Sequence, residues 1–469
     1  MNNNIFRIPI FLGLVTLFLS GCSKWLDVSP KSTLKEEELL STQDGFIDVL
    51  NGVYIRITED RLYGQELGYG FIDVLAQYYD NIPSTPSHQY NQASKYNYEN
   101  ASVKNIIDNI WTGMYRAITN CNVIVERIDD KQDVFTGNNY KRVKGEALAL
   151  RAFMHFDLLR LFAPAYSTTT RDQKGIPYVN KISKTAIPFS TIDQVCQMIE
   201  ADLLAARNLL HDFDIMGPVD ESQDASLVYT VSNRKVWINY YAATALLARL
   251  ELFRNNKTKA MQYVDELTTD HARLKIKWAQ ATQFYYYYNA NEKIFGVFMD
   301  VGTDMKAKVT ERFDPESAIN NLILKVSLAR TMEVYETSSG GASDYRYLEW
   351  NSKTADNYLT KFSTLPGIPL LKIGEVYLIA AECLMDTDPT RALDYLNELR
   401  NNRGLVSLSA GVDLNDEITK EYRKEFLGEG QLFFYYKRRG FQFIPGWGTQ
   451  MTDDQYVLPI PDAELEFNN

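Results

Sequence analysis

The segment Ala260-Met-Gln-Tyr-Val-Asp-Glu-Leu267 recurs, position by position in residue class, as Ala392-Leu-Asp-Tyr-Leu-Asn-Glu-Leu399. Each copy follows an Ala/Leu-rich stretch of helical period, residues 237–253 before the first and 373–385 before the second. Helix, short polar turn, and a second helix with a small alanine at the point of close packing make one supersecondary unit. Such a unit cannot bury its apolar face alone, so copies must stack. This resembles a tetratricopeptide unit and directs the chain toward an α-rich array of helix pairs. The copies lie much further apart than the roughly 34 residues of a regular array, so long insertions must interrupt it. Asp388-Pro389 reads as a helix start, because proline at the first helical position has no donor to lose.

Further amphipathic stretches extend the pattern. Residues 111–127 place Met114, Ile118, Cys121 and Val125 at three- and four-residue steps. Residues 140–162 repeat this and stop ahead of Pro164. Residues 192–210 follow with Thr191 as a cap, and 231–253 read as another helix. Composition changes in the insertions. Residues 59–100 are rich in Tyr, Asn, Gln and Ser; 268–300 hold a strand pattern at Lys293–Phe298; 335–368 mix Gly, Ser, Asp and Tyr. The expected fold is mainly α: a tetratricopeptide-like helix-pair scaffold with long loop insertions and a few short strands. No linker divides residues 22–469, which read as one domain. Loops held on a rigid frame are favoured places for function.

At the amino end, Arg7 precedes an apolar run, Ile8 to Leu19, too short for the ~20 residues that a membrane span needs. It ends in Leu19-Ser20-Gly21-Cys22. Residues 1–21 therefore read as a secretory signal peptide with a lipobox, and Cys22 as the lipidated residue. Several acyl chains together make such an anchor durable. A net charge of -11 argues against nucleic acid as a partner. Cys121, Cys196 and Cys383 are widely spaced in apolar contexts and read as buried thiols. The four histidines show no metal-ligand spacing, and no G-x-S-x-G, P-loop or G-x-G-x-x-G occurs. No catalytic residue, metal or cofactor is expected. Glu421, Glu425 and Glu429 stand four apart. Such a run could house acid–base carboxylates, but it reads as an ion-paired face, with Arg423, Lys424, Lys437 and Arg438 as partners, that locks the last helix. Gly428 and Gly430 mark a helix end or a close backbone contact.

Four stretches carry a resemblance to a known family. Cys22-Ser-Lys-Trp-Leu-Asp-Val-Ser-Pro30 is similar to a C-x-K-x-L-D-x-x-P opening. Gly145-Glu146-Ala147 through Arg151-Ala152-Phe153 to Leu161-Phe162 resembles a G-E-A-x-x-L-R-A-x-x-Y-F helix, with Gly175-Ile-Pro-Tyr178 after it. Residues 371–383 with 392–400 and Arg403-Gly404 resemble an E-x-Y-L-I-x-A-E helix and its partner. Residues 418–438 resemble I-x-x-E-R-x-x-E-F-x-G-E-G-x-R-x-x-D-L-x-R. The chain resembles the SusD/RagB nutrient-binding outer-membrane lipoproteins. Tyr422, Leu432 and Tyr435 depart from that pattern, standing where arginine, arginine and aspartate are common, so aromatics are expected to repack an ion-pair network there.

The resemblance implies a non-catalytic lipoprotein on the outer membrane, facing outward, that captures an oligomeric nutrient. It also implies a partner, a TonB-dependent outer-membrane transporter of the SusC-like kind. An oligosaccharide is the expected ligand and a peptide the alternative; a tethered scaffold without small ligand is the competing class. Sugars offer ring faces and hydroxyls, which aromatic platforms flanked by polar groups recognise. On that ground the first insertion contributes Tyr78, Tyr79, Asp80, Asn81, Tyr90 and Tyr96, and the last Tyr345, Arg346, Tyr347 and Trp350.

Overall fold

Eight helices follow one another in space in the order of the chain: α1 Gln43–Ile57, α2 Ala101–Arg127, α3 Asn139–Phe162, α4 Ile192–Asp214, α5 Tyr240–Phe253, α6 Lys257–Asp270, α7 Ile373–Leu384 and α8 Pro389–Asn401. Each packs on the next, α6 on α7 included. The computed structural model describes residues 36–214, 231–270, 278–279, 292–298, 309, 311–313, 321–353, 358–362 and 367–467. The recurring segments fall on α6 and α8, where Ala260 and Ala392 are fully buried. The two related pairs are therefore neighbours, and the tetratricopeptide-like row continues directly from α6 to α7.

Local chemistry sets the element ends. Asp388 caps α8 by accepting from the Arg391 N–H at 3.1 Å, with Pro389 first in the helix. Thr191 and Gln194 form a reciprocal box at the start of α4, the Gln194 N–H donating to Thr191 Oγ1 and the Thr191 N–H to Gln194 Oε1. The helix expected over 231–253 is two pieces. Residues Val231–Val236 form a 3-10 turn, and α5 begins only after Asn239. Asn239 is extended, accepts from the Ala242 N–H, and donates to Arg234 O and Ile294 O, so the amide turns the chain. In the other direction, α2 begins ten residues before the apolar stripe at 111, capped by Asn100.

Two small antiparallel sheets complete the frame. Strand β1, Lys174–Pro177, pairs with β2, Phe189–Thr191. Strand β3, Lys293–Phe298, as expected from sequence, pairs with β4, Gly367–Lys372, which leads straight into α7. One contiguous apolar core extends from Leu40 to Leu458. Cys121, Cys196 and Cys383 are buried free thiols. His155 is buried, accepting the Val179 N–H at Nε2 (3.0 Å) with Nδ1 against Arg151 O (2.9 Å). Burial pushes its imidazole down to about 3.

Helices α9 (Leu414–Glu425) and α10 (Leu432–Arg439) follow, α9 on α7 and α8, ahead of two short helices at Asp453–Tyr456 and Asp462–Phe467. The three glutamates are ion-paired, as expected, but mostly with other partners, and Glu429 stands in the turn beyond the end of α9 rather than on its face. Glu425 accepts from Arg346 (2.9 Å) and from Arg403 Nε and Nη2 (3.0 and 2.8 Å); Glu421 accepts from Arg346 (2.7 Å) and Arg400 (2.8 Å). Glu429 pairs with Lys361 and Lys372, each at 2.6 Å. Of the cations expected from sequence, Lys424 alone reaches this face, at 3.3 Å from Glu421. Arg423 pairs with Glu333, Arg438 with Glu382, and Lys437 donates to backbone carbonyls. Of the cations that do the pairing, Arg346 and Lys361 come from the last insertion, Lys372 from β4, and Arg400 and Arg403 from α8 and the turn after it.

Tyr422 and Tyr435 stack at 4.0 Å and 18°, the aromatic replacement expected for an ion pair. Gly430, at φ +71°, donates its N–H to buried Asp73; a Cβ there would meet Leu67 O at 2.3 Å. Among the described residues, no helix is long and apolar enough to cross a membrane.

Candidate functional site

The ten side chains expected to meet ligand do not converge on one surface. Tyr78, Tyr79, Tyr90, Tyr96, Arg346 and Trp350 are all buried, and this corrects their assignment as an open platform. The short helix Phe71–Leu75 ends ahead of Gln77, which turns the chain at φ +61° and sends both following tyrosines inward. Tyr78 Oη donates to Arg423 O, Tyr79 Oη to Tyr69 O (2.7 Å) and Tyr96 Oη to Leu75 O (2.7 Å). A ring whose hydroxyl is satisfied inside the core offers no face to a sugar.

Arg346 is the hub of the ion network, bound by Asp344, Glu421 and Glu425. Trp350 lies under the Lys361 ammonium, 3.8 Å from the ring centre. Asp80 and Asn81 are half-buried and tie the first insertion to a later segment. Asp80 Oδ1 accepts the Ser327 N–H (2.8 Å), and Asn81 donates to Ile323 O (2.9 Å). Tyr345 and Tyr347 keep part of their surface in solvent. Tyr345 packs on Trp350, and Tyr347 lies 5.8 Å from the Tyr335 ring.

What the first insertion does build is a polar cleft of about 350 Å³ against α2 and residues 311–312. A π-helical turn over Asp60–Gly64 presents Asp60 and Arg61. Asn105 and Asn109, four apart on α2, supply two amides from one side. Gln65, Glu66, Gln89, Glu311 and Arg312 form the rest of its polar wall. Among the described residues, Arg312 hydrogen-bonds to neutral acceptors alone: Gln65 Oε1 (3.2 Å), Gln89 Oε1 (3.3 Å) and Leu322 O (3.3 Å).

Tyr90 supports this cleft from beneath. Its hydroxyl donates to Glu66 at 2.9 Å and accepts from Gln65 Nε2 at 2.8 Å. Burial raises the Glu66 carboxyl to about 7, against the lowering effect of its bonds from Tyr90 and Gln65. The cleft thus mixes amides, two guanidinium groups and carboxyls, one titrating near neutrality. Such a set can grip vicinal hydroxyls through paired donors and acceptors.

Sequence reasoning missed Asp60, Arg61, Gln65, Glu66, Asn105, Asn109 and Arg312 because it followed aromatic rings. The available signal was the Asn105/Asn109 spacing on the polar side of α2. No group of three His, Cys, Asp or Glu able to hold a metal occurs among the described residues. Cys22, the signal segment and most of the 268–300 insertion lie outside the described residues.

Stacked helix pairs with looped-out insertions, one of them walling a polar cleft, define a tetratricopeptide-like helical-repeat protein. Residues 24–252 match a family model described as starch-binding associating with outer membrane, and residues 220–442 match the SusD family model. The chain belongs to the SusD/RagB family. It is similar to a SusD superfamily protein from Bacteroides thetaiotaomicron VPI-5482, at 22% identity and TM-score 0.71, over 91% of this chain and 98% of that one. A SusD-like carbohydrate binding protein from Bacteroides vulgatus ATCC 8482 is similar at 19% identity and TM-score 0.68, over 91% and 96%. A SusD superfamily protein from Bacteroides fragilis follows at 21% and 0.68, over 91% and 98%. At these identities the likeness is one of fold. No curated protein shows significant sequence similarity to the chain.

Proposed function

We propose that this protein is a non-catalytic, carbohydrate-binding lipoprotein of the outer membrane. In this reading Cys22 carries the lipid, residues 22–469 act as one domain, and the bound oligosaccharide passes to a SusC-like TonB-dependent transporter. The observation that carries the reading is family membership, from two family models that together run from residue 24 to 442. A carbohydrate-binding neighbour of the same fold supports it. The cleft beside α2 is the proposed binding site. Its amide and guanidinium groups suit hydroxyl pairs, and it lies on the first of the insertions expected to hold ligand.

Glycan-array screening followed by calorimetry tests this directly. Arg312→Ala is expected to weaken oligosaccharide binding at least tenfold, the scale of losing a charge-assisted hydrogen bond worth about 1.5–3 kcal/mol, with an unchanged melting temperature. Binding to peptide arrays alone would replace the carbohydrate with a peptide. Silence on both arrays would leave the tethered scaffold.

Anchoring has its own check. Cys22→Ala is expected to move the protein from the membrane fraction to the soluble fraction, read by fractionation and immunoblot. Persistence in the membrane would remove the lipid anchor from this reading.

A further inference from the structure

Five helices, α3, α5, α7, α9 and α10, meet around a small cavity of about 40 Å³. Its lining includes Arg160 of α3, Arg249 of α5, Glu375 of α7 and Lys437 and Arg438 of α10. The four lining cations face Glu375 in the wall, with Asp157 and Glu382 behind it; Arg439 shares Glu382 at 3.0 Å, and Asp453 acts on Lys437.

Every oxygen of those carboxylates is already engaged. Glu375 accepts from Arg249 Nε (2.6 Å) and Nη2 (2.5 Å). Glu382 accepts from Arg438 at 2.5 and 2.7 Å. Asp157 accepts from Arg160 and, at 2.7 Å, from Tyr63. Lys437 spends its ammonium on Arg160 O at 2.6 Å. Two buried donors remain without an acceptor among the described residues, Arg160 Nε and Arg249 Nη1. Their side chains are only 7% and 6% exposed. A buried charged N–H without a partner is costly, so two such donors beside one cavity favour an acceptor there.

The cavity exceeds the ~10–15 Å³ that one water needs but is far too small for a sugar. We propose that it binds one halide-sized anion, with chloride as the natural occupant, accepting from Arg160 and Arg249 and fastening α10 to the helical row. Residues from five helices wall the site, so its occupant couples the C-terminal helices to the array.

Crystals soaked in sodium bromide and measured at the bromine absorption edge are expected to show an anomalous peak between Arg160 and Arg249. A cavity holding only water there overturns the proposal. In solution, replacing sodium gluconate with sodium chloride at constant ionic strength is expected to raise the melting temperature saturably. Arg249→Met is expected to abolish that rise. Equal melting in the two salts, or a rise that survives in Arg249→Met, also overturns it. The bromide result stands alone should that variant fail to fold.

Discussion

Glu425→Ala is expected to cost about 3–5 kcal/mol of folding free energy, the penalty for breaking a buried ion network by removing one partner. Glu425 is fully buried and accepts from both Arg346 and Arg403, with Lys372 at 3.3 Å. Removing it leaves three buried cations short of one carboxylate. Arg346 belongs to the last insertion and Arg403 follows α8, so the same change unfastens insertion from frame. Chemical denaturation followed by circular dichroism measures the loss. A cost below about 1 kcal/mol, the scale of an exposed pair, would show the network to be solvated.

The network also predicts the acid limit of the fold. Burial alone would raise the Glu421 carboxyl, but Lys424, Arg346 and Arg400 pull it down to about 2. The charges of Arg403 and Lys372 overcome the same effect of burial at Glu425 and hold it well below its ordinary range. A depressed carboxyl contributes stability that is complete above the unfolded value of roughly 4.3 and is lost as pH falls through the folded value. Unfolding driven by these groups is therefore expected between about pH 4 and pH 2. Glu425→Ala should move the midpoint upward.

Trp350→Ala is the second large effect, expected at about 3–5 kcal/mol. The ring is 1% exposed, and its loss would open a cavity beside the Lys361 ammonium, which burial already pushes down to about 8. Melting temperature should drop sharply while the folded fraction keeps its affinity for oligosaccharide in calorimetry. Unchanged melting with lost binding would return Trp350 to the ligand site. The two readouts separate a ring that builds the frame from one that touches sugar, which a binding assay alone would merge.

Much of the frame was legible along the chain. The Ala260 and Ala392 segments, the Asp388-Pro389 start, the Thr191 cap and the Lys293–Phe298 strand all report local rules: period, capping and alternation. Each needs only neighbours within a few positions. The break at Asn239 was less legible because it depends on Ile294, on another strand. The binding surface was least legible of all. Tyrosines in a polar segment suit a wet platform and a core equally, and the rule that aromatics mark sugar sites does not distinguish them.

By itself, the sequence determined the class of architecture, the helix pairs, the likeness to the SusD/RagB family and the ionic character of the last helices. The family likeness rests on four matching motifs; the rest follows from periodicity and from short-range spacing. Tertiary structure decided which charges meet and which rings face water. Arg346 and Glu425, or Gln65 and Arg312, become partners only when insertions fold back on the helical row. Burial and long-range pairing belong to that closure, which no local pattern records.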